Sequence, residues 1–183
     1  MNTRRVILRM QMTLDGFVAR PDGTLDWLWE GFTPAATADV IEETKRSSTQ
    51  LMGRIAYEGQ AAYWPDSDEE IAPLINEIEK IVFSTTLTEP LSWSNSRLAT
   101  AGLAATLADL KTRPGGDIVV VGGATLARAA VREQLVDEYH LIVHPVAIGA
   151  GLPLFGSAAR LRLIDQRVYS SGAMRLIGAA RDQ

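Results

Sequence analysis

The chain has 183 residues, 46% of them hydrophobic and 22% charged, with a net charge of −4 and no cysteine. That length suits one domain, residues 1–183, around one sizeable core, and the acidic balance excludes a broad nucleic-acid surface. The missing thiols exclude disulfides, zinc–thiolate and Fe–S sites and a cysteine nucleophile, and fit a cytoplasmic setting; no apolar stretch is long enough to span a membrane.

Residues 5–12, RVILRMQM, read as a first strand, and Thr13-Leu14-Asp15-Gly16 turns the chain out of it. Phe17-Val18-Ala19 is apolar again, and Pro21-Asp22-Gly23 is a strong turn signal. Asp26-Trp27-Leu28-Trp29 then puts two indoles in a loop, where they cap either the core or a pocket. Thr33 as N-cap and Pro34 at the first helical position start a helix running to about Ser47. Glu42, Glu43, Lys45 and Arg46 fall on its polar face and read as solvated.

Residues 50–52 form a second strand ending in Gly53-Arg54, and a helix follows over 55–62. Arg54 thus sits at a strand-to-helix junction. A guanidinium there offers a planar, two-pronged donor set to a phosphate, or simply makes a surface salt bridge. A polar loop covers 63–70 and a short helix 71–77. Residues 80–84 are a third strand, and Ser84, Thr85 and Thr86 place three hydroxyls at its end. They can hold a ribose or phosphate, or act as caps and turn formers. A short strand over 97–100 and a helix over 103–111 follow.

Ile118-Val119-Val120-Val121 is β-branched and bounded by glycines, as a buried central strand should be. Gly122-Gly123 follow, then a helix from Ala124 to about Gln134 that carries Thr125 and Leu126 in its first turn. Strand, glycine turn and helix start together present free N–H groups and the positive end of a helix dipole. This is either a diphosphate cradle or a bare turn. It is not a Rossmann G-x-G-x-x-G or a P-loop.

Residues 138–144, EYHLIVH, form another strand. His140 and His144 share a face but lie about 13 Å apart at ~3.3 Å per residue, too far for one ion, so no metal is expected. Gly149-Ala150-Gly151-Leu152-Pro153 is a ligand-facing or mobile loop. Residues 160–168 and 173–181 are two antiparallel strands around Ser170-Ser171-Gly172. The expected fold is therefore α/β: a mainly parallel central sheet flanked by helices, with a C-terminal antiparallel hairpin.

Five stretches in this order carry a resemblance: MTLDGFVARPDGTLDW, LMGRIAYEG, KIVFSTTL, DIVVVGGATLARAAVREQLVDEYHLIVHPVAIGAGLPLF and the terminal hairpin. Together they resemble the reductase domain of the riboflavin-biosynthesis deaminase–reductase and its stand-alone relatives. The resemblance implies a dihydrofolate-reductase-like fold, NADPH as cofactor and often a homodimer. It implies an NADPH-dependent reductase of a small heterocycle, similar to 5-amino-6-(5-phosphoribosylamino)uracil reductase. A pterin reductase, or a non-catalytic nucleotide-binding dimer on the same scaffold, are the alternatives.

Carried over by position, Gly53 and Arg54 match a glycine–arginine pair facing the 2′-phosphate. Ser84, Thr85 and Thr86 match the adenosine end. Gly122, Gly123, Ala124, Thr125 and Leu126 match the diphosphate loop, and Val18 and Ala19 lie beside the nicotinamide. The carboxylate that dihydrofolate reductases use to bind the pterin has no counterpart: its place falls near Thr37, with Asp39 about 200° further round the helix. Asp15 and Asp26 are the candidate proton donors or substrate contacts, each equally a turn former. Gln11, Trp27, Gly149 and Gly151 are the expected substrate wall. No second basic cluster is visible for a substrate phosphate. The zinc set of a deaminase half is absent.

Overall fold

The computed structural model describes residues 4–180. One eight-stranded sheet has the order β5-β4-β3-β6-β1-β7-β10-β9. Its strands are β1 (Val6–Thr13), β3 (Ser47–Gly53), β4 (Glu79–Phe83), β5 (Ser96–Leu98), β6 (Asp117–Val121), β7 (Glu138–His144), β9 (Leu161–Val168) and β10 (Met174–Ala180). The first six strands in sheet order are parallel, and β10 runs antiparallel to both its neighbours, β7 and β9. The mixed, mainly parallel sheet with its terminal hairpin is thus as expected. Arg181, which the sequence places at the end of the last strand, lies outside the described residues.

Parallel strands need helical crossovers, and the handedness of those crossovers decides which face each helix covers. Helices α1 (Pro34–Lys45), α2 (Arg54–Ala61) and α3 (Ala72–Glu77) cover one face, packing Ile41, Tyr57 and Ile75 against Ile7, Met52, Val82 and Val119. Helices α4 (Leu103–Thr112) and α5 (Ala124–Arg132) cover the other, packing Leu107, Leu110, Leu126 and Ala130 against Leu8, Leu51, Ile118 and Val120. Each fully buried aliphatic side chain here contributes about 1.5–3 kcal/mol relative to exposure.

The helix starts follow local chemistry. Thr33 caps α1 as expected, its hydroxyl accepting from the Ala36 amide at 3.2 Å, with Pro34 next. The helix stops at Lys45, two residues short of its expected end, because Ser47 already belongs to β3. Gly53 and Gly123 are the N-caps of α2 and α5, and neither helix has a side-chain cap.

Two sequence readings need correction. Glu43 is not solvated: its carboxylate is 14% exposed and lies 3.0 Å from His140 Nδ1 and 3.7 Å from Arg175 Nη1. The α1 face that looks polar in sequence is partly laid over β7 and β10, against His140 and Arg175. Residues 149–153 are not all loop either. Leu152–Pro153 form β8 and pair antiparallel with β2 (Phe17–Ala19) in a separate two-stranded sheet.

Candidate functional site

β3 and β6 are hydrogen-bonded neighbours, yet α2 leaves β3 for one face and α5 leaves β6 for the other. Such a switch opens a crevice at the carboxyl ends of the strands. The two glycine junctions meet there. A Cβ on Gly123 would lie 3.5 Å from the Gly53 nitrogen, and one on Gly122 would lie 3.0 Å from Ala56 Cβ. Gly122 and Gly123 have φ of 64° and 82°, a left-handed conformation that side chains resist. Two helix N-termini without side-chain caps therefore open side by side on glycine backbone flanked by Ala56 and Gln60. This donor set suits a diphosphate.

Arg54 is the first residue of α2 and its guanidinium is half-exposed. It donates to both oxygens of Glu58, at 2.8 and 3.1 Å, one turn along. The surface-pair geometry is thus realised, and an anion at the α2 N-terminus would share the arginine with Glu58. Ile55 beside it is 73% exposed, an apolar face at the rim of the same junction. Ser84 Oγ accepts from the amides of Thr86 at 3.1 Å and Leu87 at 3.0 Å, so this hydroxyl shapes the turn after β4. Thr85 and Thr86 remain exposed beside it.

Across the crevice lie β1 and β7. Arg9 is level with Val121, which puts the glycine turn beside Met10 and Gln11. Thr13 is level with His144. Gln11 Oε1 lies 2.7 Å from His144 Nε2, and the Trp27 ring sits edge-on to the imidazole with centroids 5.2 Å apart. Trp27 is buried, whereas Trp29, its companion in sequence, is 71% exposed. His144 is two strands across and two to three residues along from the glycine turn, roughly 12–14 Å away. The sequence offers His144 only as a metal ligand. Its proximity to Gln11, 133 positions away, has no local signal.

Asp15 is a tie between loops. Its Oδ1 accepts from the Thr13 hydroxyl at 2.5 Å, and its Oδ2 accepts from the amides of Ile148 and Gly149 at 3.0 and 2.8 Å. The Thr13 hydrogen bond, helped by these amides, holds its carboxyl below the ordinary value. Gly151 is needed for close approach: a Cβ there would lie 2.3 Å from the Ala19 carbonyl oxygen. Val18, Ala19, Gly149 and Gly151 therefore belong to one wall. Asp26 pairs with Arg20 at 2.6 Å, and that bond lowers its pKa. Asp39 is also engaged, with Arg167 at 2.9 Å, the Tyr169 hydroxyl at 2.8 Å and Arg175 at 3.4 Å. Thr37 lines a separate groove of about 510 Å³ along α1, with Ile41, Lys45 and Glu70.

His140 engages Glu43 and Glu138 while His144 engages Gln11, so the two histidines serve different partners. Among the described residues, no cluster of three or more His, Cys, Asp or Glu could hold a metal ion, and no helix is long and apolar enough to cross a membrane.

The model of the RibD C-terminal domain matches residues 4–174. The chain belongs to this family. It is 32% identical over 186 residues to YyaP, an uncharacterized protein of Bacillus subtilis (strain 168), covering 95% of this chain and 94% of that one. A crystal structure from Shewanella sp. PV-4, provisionally described as a riboflavin biosynthesis protein, superposes with a TM-score of 0.78 at 24% identity over 97% of this chain and 99% of that one. The Thermotoga maritima deaminase/5-amino-6-(5-phosphoribosylamino)uracil reductase gives 0.70 at 16% identity, over 98% of this chain but 57% of that one. Dihydrofolate reductase from Enterococcus faecalis, complexed with NADP(H), gives 0.64 at 11% identity, with 97% of each chain covered. The fold of the RibD C-terminal domain family member described here is thus dihydrofolate-reductase-like.

Proposed function

We propose that this RibD C-terminal domain protein is an NADPH-dependent reductase of a small heterocyclic substrate, similar to the aminouracil reductase of riboflavin biosynthesis. The observation that carries this is the pair of glycine junctions in contact at the switch between β3 and β6, each opening an uncapped helix. Gly122, Gly123, Ala124, Thr125 and Leu126 would hold the diphosphate. Arg54 would meet the 2′-phosphate, with Ser84, Thr85 and Thr86 beside the adenosine, and Val18 and Ala19 would border the nicotinamide. NADPH supplies a hydride. The chain supplies placement of the acceptor carbon, which is most of what such a transfer needs. An acidic protein can hold this polyanion because two helix N-termini and Arg54 make the site locally positive.

Asp15 and Asp26, the two candidate proton donors, are both engaged and held in the carboxylate form. We assign them to loop structure. The substrate proton then comes from water reaching the wall formed by Gln11, Trp27, Gly149 and Gly151. Classical dihydrofolate reduction is disfavoured, because Asp39, the nearest carboxylate on α1, is spent on two arginines and a tyrosine. A homodimer, as the resemblance implies, is part of the proposal. Calorimetric titration with NADPH and with NADH is the test. Tight NADPH and weak NADH binding is the expected result, and no binding of either would end the proposal.

A further inference from the structure

The two faces of the terminal hairpin differ in kind. Residues paired across antiparallel strands share a face, and successive residues alternate between faces. One face carries Arg167 opposite Arg175, Asp165 opposite Ile177 and Arg162 opposite Ala179. It looks towards α1, where Arg167 and Arg175 both meet Asp39. The other carries Val168 opposite Met174, Gln166 opposite Leu176 and Leu163 opposite Gly178, and none of these is charged.

The neutral face is open. Helices α4 and α5 cover this side of the sheet over its parallel strands, and Met174, Leu176 and Leu161 rest only partly buried at the margin of that core. Beyond them every residue of β9 is exposed, Leu163 at 54% and Val168 at 69%. Contiguous apolar surface on a sheet is a place where something docks.

The edge of β9 is guarded and the face is not. Arg162, Asp165 and Arg167 stand along this outermost strand, and Ile164 is left unpaired in a bulge between Leu163 and Asp165. Charges and bulges oppose the addition of a further strand, so the neutral face is the surface left to cover.

Charge decides what covers it. In a two-fold dimer one patch meets its own copy, so a charged group near the axis would face a like charge. A patch without charge meets itself at no such cost, and it offers nothing to select a partner by charge. The whole chain carries −4, which opposes self-association wherever charged surfaces meet.

We propose that a second copy of this chain packs on the neutral face, hairpin against hairpin about a two-fold axis, as two stacked sheets about 10 Å apart. The reductase proposal includes a homodimer but gives it no surface. This assignment rests on the hairpin and not on the cofactor, so the two can fail separately.

The test is sedimentation of the whole protein over a dilution series, with NADPH calorimetry beside it. A dimer is expected. Since no ion pair holds it, its dissociation constant should change less than about threefold between roughly 0.05 and 0.5 M salt. Leu163→Glu with Val168→Glu buries carboxylates in the interface and should raise the dissociation constant at least about a hundredfold. Circular dichroism checks that this variant is folded. Val168→Ser is milder and should weaken the dimer about tenfold. Lys45→Glu, exposed on α1, should leave it unchanged. A wild-type monomer at every concentration, a dimer that Val168→Ser and the double variant leave intact, or one that salt dissociates would overturn the assignment. NADPH binding alongside any of these results keeps the reductase reading. A dimer broken at the hairpin in a protein that binds no NADPH removes that reading and keeps this one.

Discussion

Gly123 and Gly53 come from strands 70 positions apart in sequence and meet so closely that a Cβ on the first would touch the backbone nitrogen of the second at 3.5 Å. Gly123 also has φ of 82°, where a side chain costs about 1–2 kcal/mol. Gly123→Ala should therefore lower stability by about 1 kcal/mol or more. It should also weaken NADPH binding at least tenfold by filling the approach to the two helix starts. Urea unfolding and calorimetry read the two effects separately. An alanine variant that loses stability but binds as before would show that the turn is only a turn.

Arg54→Ala should weaken NADPH by about ten- to a hundredfold, the loss of a charge-assisted phosphate contact of about 1.5–3 kcal/mol, while NADH changes less than threefold. Equal weakening of both cofactors would move the 2′-phosphate elsewhere. Because the Arg54 guanidinium is half-exposed, its attraction to the phosphate is screened, and the NADPH affinity of the unaltered protein should fall with salt.

The sequence carried the glycine turns, the run over residues 138–144 and the capped start of α1, because each is written in consecutive residues. It under-read β3, which begins at Ser47 rather than Gln50. Ser47-Ser48-Thr49 carry no apolar residue that would mark a strand, yet Thr49 and Gln50 are each 1% exposed. Thr49 can be buried because Arg4 donates to Ser48 Oγ at 2.7 Å and Thr49 Oγ1 at 2.8 Å, a contact made across more than forty residues; Gln50 Oε1 is buried without a partner among the described residues. The same limit hid the Glu43–His140 pair and the link from Gln11 to His144. Strand order decides those contacts, and strand order is not written locally. The β2–β8 pairing was hidden for another reason: three residues against two leave too little pattern to read.

Lys80 is fully buried in β4, and its ammonium donates to the carbonyls of Ile75, Asn76 and Ile78 at 2.8 to 3.0 Å, closing the C-terminal end of α3. The Trp93 ring centroid lies 4.4 Å from the same nitrogen. Lys80→Met keeps the stem and leaves three carbonyls without a donor. A loss of about 2–4 kcal/mol in unfolding free energy is expected, with cofactor affinity unchanged. Desolvation lowers the lysine pKa to about 8. Between that value and the ordinary one near 10.5, the unfolded chain binds more protons, so stability should rise with pH there, and this rise should vanish in the methionine variant.

Asp15→Ala separates a loop tie from a proton donor. Alanine removes Oδ2, so the Ile148 and Gly149 N–H groups lose their shared partner. Hydrogen exchange at these two amides should accelerate, and the melting temperature should fall. Since the folded pKa is held below the ordinary value, the wild-type tie is present above about pH 4 and lost as pH falls through the folded value. Acid lability should therefore be smaller in the variant. If exchange at Ile148 and Gly149 is unchanged while turnover falls by ~10²-fold or more, Asp15 would return as the acid.

His144 gives the opposite kind of pH signal from a group gaining a salt-bridge partner. Burial lowers its folded pKa below the ordinary 6.5, so the native state resists the proton that the unfolded chain accepts. Its contribution to stability is present above about pH 6.5 and declines as pH falls through that value, levelling off below the folded pKa. The groups facing the ring, Gln11, Trp27 and Gly31, carry no charge that could compensate. His144→Gln cannot titrate, so unfolding free energies of the two proteins should diverge at pH 7.5 and converge towards pH 5. Parallel curves across that range would mean that His144 is protonated as readily in the fold as out of it.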